Sequence, residues 1–281
     1  MVFYPLLVLC KVLEVSRSGF YKWLRRHNQV TEREVSNHIL GIKIKDIFNF
    51  HKKRYGSIRI KRELIKQGYQ ASIKRINRIM KQNNLVSLHT KKFKVVTTNS
   101  KHKLPVAENK LNREFNVSKP NQVWVADITY IKTITGWFYL AVVLDLFSKQ
   151  VVGYQTSSNI DNQLVLDALN KALFSRKPEH CLLFHSDRGV QFASYDFRNA
   201  IANASFIQSI SRKANCWDNA PAESFFATLK KELIYPLGIV TKFQVEKELF
   251  QYIEAYYNTI RLHSSLDYLS PLDYERLKLA A

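Results

Sequence analysis

The sequence has few cysteines and no long apolar run, and both shortages exclude classes of protein. Only 3 cysteines occur among the 281 residues, and no two of them form a Cys-x-x-Cys pair. This number and spacing argue against a disulfide framework and against a zinc knuckle. The apolar stretch at residues 1–13 contains Pro5, and it is too short to span a membrane. We therefore expect a protein of the reducing cytoplasm with no membrane partner.

Acidic residues are scarce in the first two-fifths of the chain. Residues 1–120 hold 27 of the 43 lysines and arginines but 7 of the 23 acidic residues, which accounts for the whole net charge of +20. Residues 121–281 hold 16 residues of each sign. A basic part joined to a neutral part is typical of a nucleic-acid-binding module attached to a second module. Lysine-rich helix faces that only contact solvent are the alternative.

The basic part predicts a series of short helices. Residues 1–30 predict a short helix-turn-helix-like segment with its turn at residues 16–19, and residues 31–88 predict a helical DNA-binding domain. Thr31 and Glu34 have the spacing of a capping box, and an apolar stripe follows at Ile39, Ile42, Ile44, Ile47 and Phe48. A generic helical hairpin is the alternative. We expect phosphate contacts from the basic residues of the later helices, namely Arg59, Lys61, Lys74, Arg75 and Arg78.

The composition and the apolar pattern of the sequence change near residue 120. Residues 89–120 are basic, polar and non-periodic, which indicates a linker or an extended arm along a phosphate backbone. Residues 121–235 then predict a mixed five-stranded α/β sheet with helices, because three adjacent strands are followed by a helix–strand–helix–strand pattern. The predicted strands cover 122–131, 137–148, 149–157, 181–187 and 206–211. Residues 236–281 predict a helical C-terminal extension.

Three acidic residues occupy informative positions in this α/β part. Asp127 lies in the first strand, Asp187 ends the fourth, and Glu223 begins the helix after the fifth. Each alone has an ordinary explanation, as an outward strand residue, a turn residue or a first-turn glutamate. In such a sheet the first and fourth strands can be neighbours, so the three carboxylates can meet at one edge. Like charges repel there unless cations lie between them, and such oxygen ligands suit Mg²⁺ or Mn²⁺. The pattern therefore indicates metal-assisted phosphodiester chemistry, with two ions in the usual arrangement.

The spacing and the surrounding motifs resemble a known family. Asp187 and Glu223 are separated by 35 residues, and the three acids occur in the motifs WVADITYI, HSDRGVQF and SRKANCWDNAPAESFFATLKKEL. Together with GWFYLAVVLDLFSKQVVGY and YIEAYYNTIRLHSSLDYLSP, these resemble the OrfB-type transposases of two-frame bacterial insertion sequences. Those are DDE transposases with a retroviral-integrase-like core. One departure is Ala214, where the family usually has glycine.

The resemblance implies roles for individual residues. The core would be RNase H-like, with Asp127 contacting both metal ions and Asp187 and Glu223 one each. Lys230 matches a position where the family carries Lys or Arg, and it would touch DNA. Two further candidates rest on position and not on the resemblance. His185, two residues before Asp187, is a candidate to support the metal ligands, with a packed histidine as the alternative, and Asn219, before the helix of Glu223, is a second candidate, with a helix cap as the alternative. A further set matches a family motif without a role that we could derive, namely Asn258, Arg261 and His263.

The resulting hypothesis is a DNA transposase that cleaves and joins strands at element ends and in target duplex DNA. The family resemblance further implies a homo-oligomer on DNA, an OrfA partner or frameshift fusion, and a nucleoid-associated location in a bacterial cytoplasm. Two alternatives are an RNase H-class nuclease acting on RNA–DNA hybrids and a non-catalytic DNA-binding regulator of transposition.

Overall fold

A computed structural model describes residues 4–27, 30–88, 105–178, 181–213 and 215–280. The chain divides into two compact units, Met1–Ser87 (unit 1) and Leu88–Ala281 (unit 2). Ala214 and most of the predicted linker, residues 89–104, lie outside the described residues. No helix in the described ranges is both long and apolar enough to cross a membrane.

Unit 1 is helical. Its helices are α1 (Leu6–Val12), α2 (Arg17–His27), α3 (Glu32–Phe50), α4 (Ser57–Lys66) and α5 (Ile73–Gln82). The predicted capping box is confirmed, because the Glu34 amide donates to the Thr31 hydroxyl and the Thr31 amide donates to the Glu34 carboxylate. The predicted turn at residues 16–19 is wrong. The Gly19 amide donates to Ser16 Oγ at 3.0 Å, so these residues form the beginning of α2, where a serine hydroxyl satisfies a free helix amide.

The core of unit 1 lies between α3, α4 and α5. Four of its side chains are fully buried, namely Ile44, Ile60, Leu64 and Ile76. The prediction for α3 was partly wrong, because Ile39 and Ile42 are 46% and 49% exposed whereas Leu40 is buried. The helical period explains the difference, since positions 40, 44, 47 and 48 share one face of α3, whereas positions 39 and 42 point away from that face.

Unit 2 contains the predicted mixed α/β sheet, which is confirmed. Its strands are β1 (Val123–Thr133), β2 (Gly136–Asp145), β3 (Val151–Ser157), β4 (Leu183–Ser186) and β5 (Ile207–Ile210). The strand order is β3-β2-β1-β4-β5. The pairs β1–β2 and β2–β3 are antiparallel, whereas β1–β4 and β4–β5 are parallel. The first and fourth strands are therefore neighbours.

Helices cover both faces of the sheet. Trp124 and Ala126 of β1 pack on the side of α6 (Asn162–Arg176) and α7 (Tyr195–Asn203). Val125 packs on the opposite side, against α8 (Ala220–Leu229) and α10 (Lys242–Tyr252). Because side chains alternate along a strand, Asp127 lies on the α8 side of β1. The chain between α8 and α10 forms a π-helical turn at Lys230–Ile234 and a short helix α9 (Tyr235–Leu237).

The C-terminal segment supports the sheet through polar contacts. A second π-helical turn, Ile253–Tyr257, follows α10, and α11 (Pro271–Leu279) ends the described chain. The Asn258 amide group donates to the Val151 carbonyl at 2.9 Å and accepts from the Val151 amide at 3.0 Å. Arg261 forms a buried two-pronged ion pair with Glu232, at 2.8 and 2.7 Å. These contacts give Asn258 and Arg261 structural roles, and His263 forms a local bond with the Ser265 hydroxyl at 2.9 Å.

Candidate active site

The strand register brings Asp127 and Asp187 together. In the parallel pair of β1 and β4, the last matched residues are Ala126 and Ser186. Asp127, inside β1, and Asp187, which directly follows β4, are the next residues after this pair, so both carboxylates lie at the same end of the paired segment. Both side chains are half-buried. The carboxyl ends of parallel strands are common positions for ligand sites in α/β sheets.

The third acid, Glu223, is supplied by the beginning of a helix and not by a strand. Glu223 lies in the first turn of α8, which follows a 3₁₀ turn at Cys216–Asn219. The Asn219 side-chain amide donates to the Ala126 carbonyl at 3.0 Å. The beginning of α8 is thereby fixed to β1 one residue before Asp127. The three acids predicted from the sequence are brought to one end of the sheet.

The electrostatics show that the three carboxylates affect one another. Burial raises the pKa of Asp127 well above its usual value, and the negative charges of Asp187 and Glu223 raise it further. The Ile128 amide, which donates to Asp127 at 2.7 Å, opposes this rise of the pKa. Burial and the charge of Asp187 also raise the pKa of Glu223. The cluster therefore concentrates negative charge that a cation would stabilise.

Lys230 lies within the field of this cluster. It is half-buried at the beginning of the π-helical turn Lys230–Ile234. Burial lowers the pKa of Lys230, and the charge of Asp127 opposes that lowering. Single π-helical turns inside helices occur often at functional sites. The interaction of their charges places Lys230 near Asp127.

His185 belongs to a buried network beside the cluster. Its Nδ1 lies 2.9 Å from Ser209 Oγ and its Nε2 lies 3.1 Å from Ser211 Oγ. Burial lowers the pKa of His185 to about 4, against a raising effect from Asp218. The histidine is therefore neutral at physiological pH. Its ring is packed and hydrogen-bonded to serines of β5 and the residue following β5.

The donor set fits a divalent cation. Mg²⁺ and Mn²⁺ prefer carboxylate oxygens, and the acids that converge here supply three carboxylates. Asn219 adds a buried Oδ1 atom that has no hydrogen-bond partner in the structure. In the described ranges, no three His, Cys, Asp or Glu side chains are already grouped closely enough to enclose a metal ion. The acids would thus have to adjust toward a bound cation.

Sequence reasoning missed the residues that anchor the turn before α8. Asp218 is fully buried and accepts bonds from Arg212 Nη2 at 2.7 Å, Arg113 Nε at 2.9 Å and Asn109 Nδ2 at 2.9 Å. These bonds, those of Arg212 first, hold the pKa of Asp218 far below its usual value. The available signal was the motif SRKANCWDNA itself, which contains Arg212 and Asp218 but not their partners in residues 105–117.

The predicted DNA-contact residues of unit 1 fall into two groups. Lys74 and Arg78 are exposed and one helical turn apart on α5. Arg75 is turned toward α3, where it donates to Asn37 Oδ1 and Ser36 Oγ, both at 2.8 Å. Arg59 lies 5.5 Å from the centroid of the Tyr55 ring. Lys61 is half-buried on α4. Lys74 and Arg78 are therefore the better placed for a phosphate backbone.

Comparison with known families identifies two kinds of domain. Models of the integrase core domain match residues 117–216 and 223–279, and a model of an HTH-like domain matches residues 34–93.

Full-length relatives are also found. The transposase InsF for insertion sequence IS3A of Escherichia coli K12 is 38% identical over 272 residues, which are 97% of this chain and 94% of the relative. The transposase for insertion sequence element IS904 of Lactococcus lactis is 39% identical over 252 residues, 89% of this chain and 98% of the relative. Among solved structures, the HTLV-2 integrase catalytic core domain in complex with magnesium matches with a TM-score of 0.45 and 17% identity, over 57% of this chain and 99% of the other.

Proposed function

The chain belongs to the insertion-sequence transposases with an integrase core domain, and from this premise we propose how its residues carry out DNA transposition. The protein is a DNA transposase, a polynucleotidyl transferase with an N-terminal HTH-like region. The observation that carries the proposal is the parallel pairing of β1 with β4, which ends one residue before Asp127 and Asp187. We assign the catalytic role to Asp127, Asp187 and Glu223.

Asp127, Asp187 and Glu223 would hold the divalent cations, two Mg²⁺ or Mn²⁺ ions. Bound ions would activate the attacking oxygen and neutralise charge that develops on the phosphate. The protein would supply positioning and charge rather than a nucleophile. Water would attack a phosphodiester at the element end and release a 3′-hydroxyl. That hydroxyl would then attack a target phosphodiester and release a new 3′-hydroxyl, with no covalent enzyme intermediate.

Lys230 would bind a phosphate of the DNA beside the reacting group. Its half-buried ammonium is within the field of Asp127, so a phosphate held by Lys230 would lie close to the carboxylates. We expect Lys230→Gln to weaken joining about tenfold, a typical loss for one charged contact. Lys231→Gln is the matched control, because it removes the same charge from the next residue. Equal joining by the two variants in a strand-transfer assay would contradict the assignment.

Unit 1 would bind duplex DNA through Lys74 and Arg78. Each phosphate contact that is lost should reduce the slope of log affinity against log salt by about one. Lys74→Gln and Arg78→Gln should each show this loss in a binding titration, whereas Lys247→Gln, an exposed lysine of α10, should keep the wild-type slope. Equal slopes for all three variants would remove these residues from the DNA interface.

Active complexes would contain more than one copy of the chain on the element ends and the target duplex. An OrfA partner, or a frameshift fusion with one, would supply end recognition, and the complex would work at the bacterial nucleoid. Joining that requires only a monomer of this chain, measured by size-resolved activity, would contradict this part of the proposal.

Strand cleavage and joining test the assignment directly. Labelled duplex carrying the DNA that flanks the reading frame is incubated with wild type, Asp187→Asn or Asp196→Asn, in Mg²⁺, Mn²⁺ or EDTA. Asp196 is an exposed acid in the first turn of α7, so its variant controls for charge. We expect metal-dependent joining by wild type and Asp196→Asn only, and the fused upstream frame is added if the chain alone is inactive. Specific DNA binding without joining, even with the fusion, would indicate a regulator, and cleavage of RNA–DNA hybrids alone would indicate a nuclease.

A further inference from the structure

Residues 105–117, here called the arm, form part of the packing of unit 2. Leu111 is 2% exposed and lies in the hydrophobic core on the α8 side of the sheet. Phe115 and Val117 pack against the same core. The arm directly follows the undescribed residues 89–104, which connect it to unit 1 in sequence. The arm is therefore the first described segment after residue 88 that packs on the sheet of unit 2.

One hydrogen-bonded path leads from the arm into β5 and β4. The backbone amides of Lys110 and Leu111 both donate to Ser209 Oγ, at 2.9 and 3.1 Å. Ser209 Oγ also lies 2.9 Å from His185 Nδ1. Because two amides already occupy the acceptor positions of this oxygen, its own hydrogen is donated to His185 Nδ1. The imidazole proton of the neutral ring then resides on Nε2.

The same path continues to the residue before Asp187. His185 Nε2 donates to Ser211 Oγ at 3.1 Å, and the Ser211 hydroxyl donates to the Ser186 carbonyl at 3.1 Å. All of these side chains are buried. The direction of every hydrogen bond is therefore consistent, from the arm amides to the carbonyl that precedes Asp187.

A second path leads from the arm to the turn before α8. Arg113 Nε donates to Asp218 Oδ1 at 2.9 Å, and Arg113 Nη2 donates to Asn215 Oδ1 at 2.7 Å. Asn109 Nδ2 donates to Asp218 Oδ2 at 2.9 Å. Asp218 is fully buried, so these bonds fix the position of the 3₁₀ turn Cys216–Asn219.

This second path ends at the residue before Asp127. Asn219 follows Asp218 directly, and its side chain donates to the Ala126 carbonyl at 3.0 Å. The same turn leads into α8, which carries Glu223 in its first turn. The arm is thus connected to the backbone next to Asp127, to the backbone next to Asp187 and to the helix of Glu223.

We infer that the arm is a positioning element of the active site, which sets the spacing of the three carboxylates for a divalent cation. The inference rests on the proposed catalytic role of these carboxylates. Groups that orient metal ligands through hydrogen bonds, without touching the metal, affect metal affinity strongly, typically by about 10- to 100-fold. A segment outside the sheet and helices thereby contributes to metal affinity, although none of its residues touches the reacting atoms.

Arg113 is the residue through which the inference can be tested without loss of the fold. Its side chain is 43% exposed, so its removal opens no cavity. Arg212 would still neutralise Asp218, through bonds from its backbone amide, Nε and Nη2. Lys110 offers a matched control, because it is an exposed cation of the same arm that contacts Ser209 only through its backbone amide.

The experiment is a calorimetric titration of Mn²⁺ into the full-length protein without DNA. We expect Arg113→Ala to bind Mn²⁺ about 10-fold more weakly than Lys110→Ala, at the lower end of the 10- to 100-fold range because Arg212 remains. The Mn²⁺ affinity of Arg113→Lys should lie between those of Arg113→Ala and wild type, since lysine lacks the planar guanidinium with which Arg113 donates to both Asp218 and Asn215. Raising the Mn²⁺ concentration should restore joining by Arg113→Ala. DNA affinity should be the same for Arg113→Ala and Lys110→Ala.

Asp187→Asn separates this inference from the proposed function. In one outcome, wild type binds Mn²⁺, Asp187→Asn does not, and Arg113→Ala and Lys110→Ala bind it equally well. This outcome would overturn the arm's role and leave the proposed site intact. Wild-type binding no stronger than that of Asp187→Asn would contradict the proposed site, and the arm's role with it. Ser209→Ala tests the path through His185 and Ser211, and a thermal unfolding curve checks that this variant is folded. If folded Ser209→Ala binds Mn²⁺ with wild-type affinity, the inference is also overturned.

Discussion

Asp218 and Asp127 lie in the same unit, and their surroundings move their pKa values in opposite directions. Hydrogen bonds from Arg212 hold the pKa of Asp218 far below its usual value, despite full burial of the side chain. Burial and the charge of Asp187 raise the pKa of Asp127 well above its usual value. The first carboxylate is thus stabilised as an anion by the protein itself. The Ile128 amide and Lys230 offset only part of this rise, so the anion of the second carboxyl group would be stabilised by an added cation.

Glu232 is a second buried acid of unit 2 whose charge is compensated by an arginine. Arg261 reaches both of its carboxylate oxygens, and the Tyr252 hydroxyl donates to it at 2.9 Å. For Asp127, by contrast, the cation that lowers the pKa is Lys230, and its effect is smaller than those that raise the pKa. The comparison teaches that burial alone does not distinguish a structural acid from a functional one. The charge of the groups around it does.

The largest expected difference between the two kinds of acid is in catalysis. Glu223→Gln should reduce metal-dependent joining about a thousand-fold or more, because metal ions contribute several kcal/mol to such reactions. Glu248→Gln, in α10, is the control and should retain activity. Joining by Glu223→Gln within a few-fold of the control in a strand-transfer assay would place Glu223 outside the active site.

Stability should respond most strongly to loss of an arginine partner. Arg261→Ala should cost about 3–5 kcal/mol in the free energy of unfolding, because it leaves the buried Glu232 charge without its partner. The double variant Glu232→Gln with Arg261→Met should cost less, since no buried charge remains. Urea unfolding measures both values. A single variant no more destabilising than the double variant would show that Glu232 does not need its arginine.

The acids at the sheet edge should behave in the opposite way. Asp127→Asn should stabilise the metal-free protein at neutral pH, because burial and the charge of Asp187 raise the pKa of Asp127 and make its anion unfavourable. Urea unfolding in EDTA measures the change, with Asp196→Asn as the control. A destabilising effect of Asp127→Asn in EDTA would mean that the carboxylate is structural.

The dependence of stability on pH should be the smallest of these effects, and it has a defined sign. A carboxyl group whose pKa is raised by folding binds more protons in the folded state, so the metal-free protein loses stability as the pH rises from about 4, the unfolded value, through the raised pKa. Asp218 has the opposite effect, since its stabilisation is present above the unfolded pKa and is lost as the pH falls through the lowered pKa. Urea unfolding in EDTA from pH 4 upward should show a flatter profile for Asp127→Asn than for wild type. Parallel profiles would contradict the raised pKa of Asp127.

The sequence was sufficient to predict the sheet and the meeting of two acids. Alternating and apolar runs predict the strands, and a helix between the third and fourth strands allows the fourth to lie beside the first. Asp127 and Asp187 then meet because both directly follow the segment in which β1 and β4 are paired. Thr31 with Glu34 marked the beginning of α3 because a capping box depends only on local residues.

The arm and the anchors of α8 could not be predicted in the same way. Residues 105–117 have neither a helical nor a strand period, so their docking on unit 2 depends on contacts such as Leu111 in the core and Arg113 with Asp218. Those contacts join residues about a hundred positions apart in the chain. Asn258 was visible as a motif residue, but its pairing with Val151 is likewise a tertiary contact. Local patterns carry no information about such partners.

The most direct test of the central claim is the effect of Mn²⁺ on the unfolding free energy of wild type and Asp127→Asn at neutral pH. The account predicts that wild type gains about 1.4–2.7 kcal/mol at Mn²⁺ concentrations of about 10–100 times the dissociation constant. It also predicts that Asp127→Asn is more stable than wild type in EDTA and gains nothing from Mn²⁺. Equal gains in both proteins, or no gain in wild type, would contradict the claim that the acids just beyond the paired segment of β1 and β4 form a cation site.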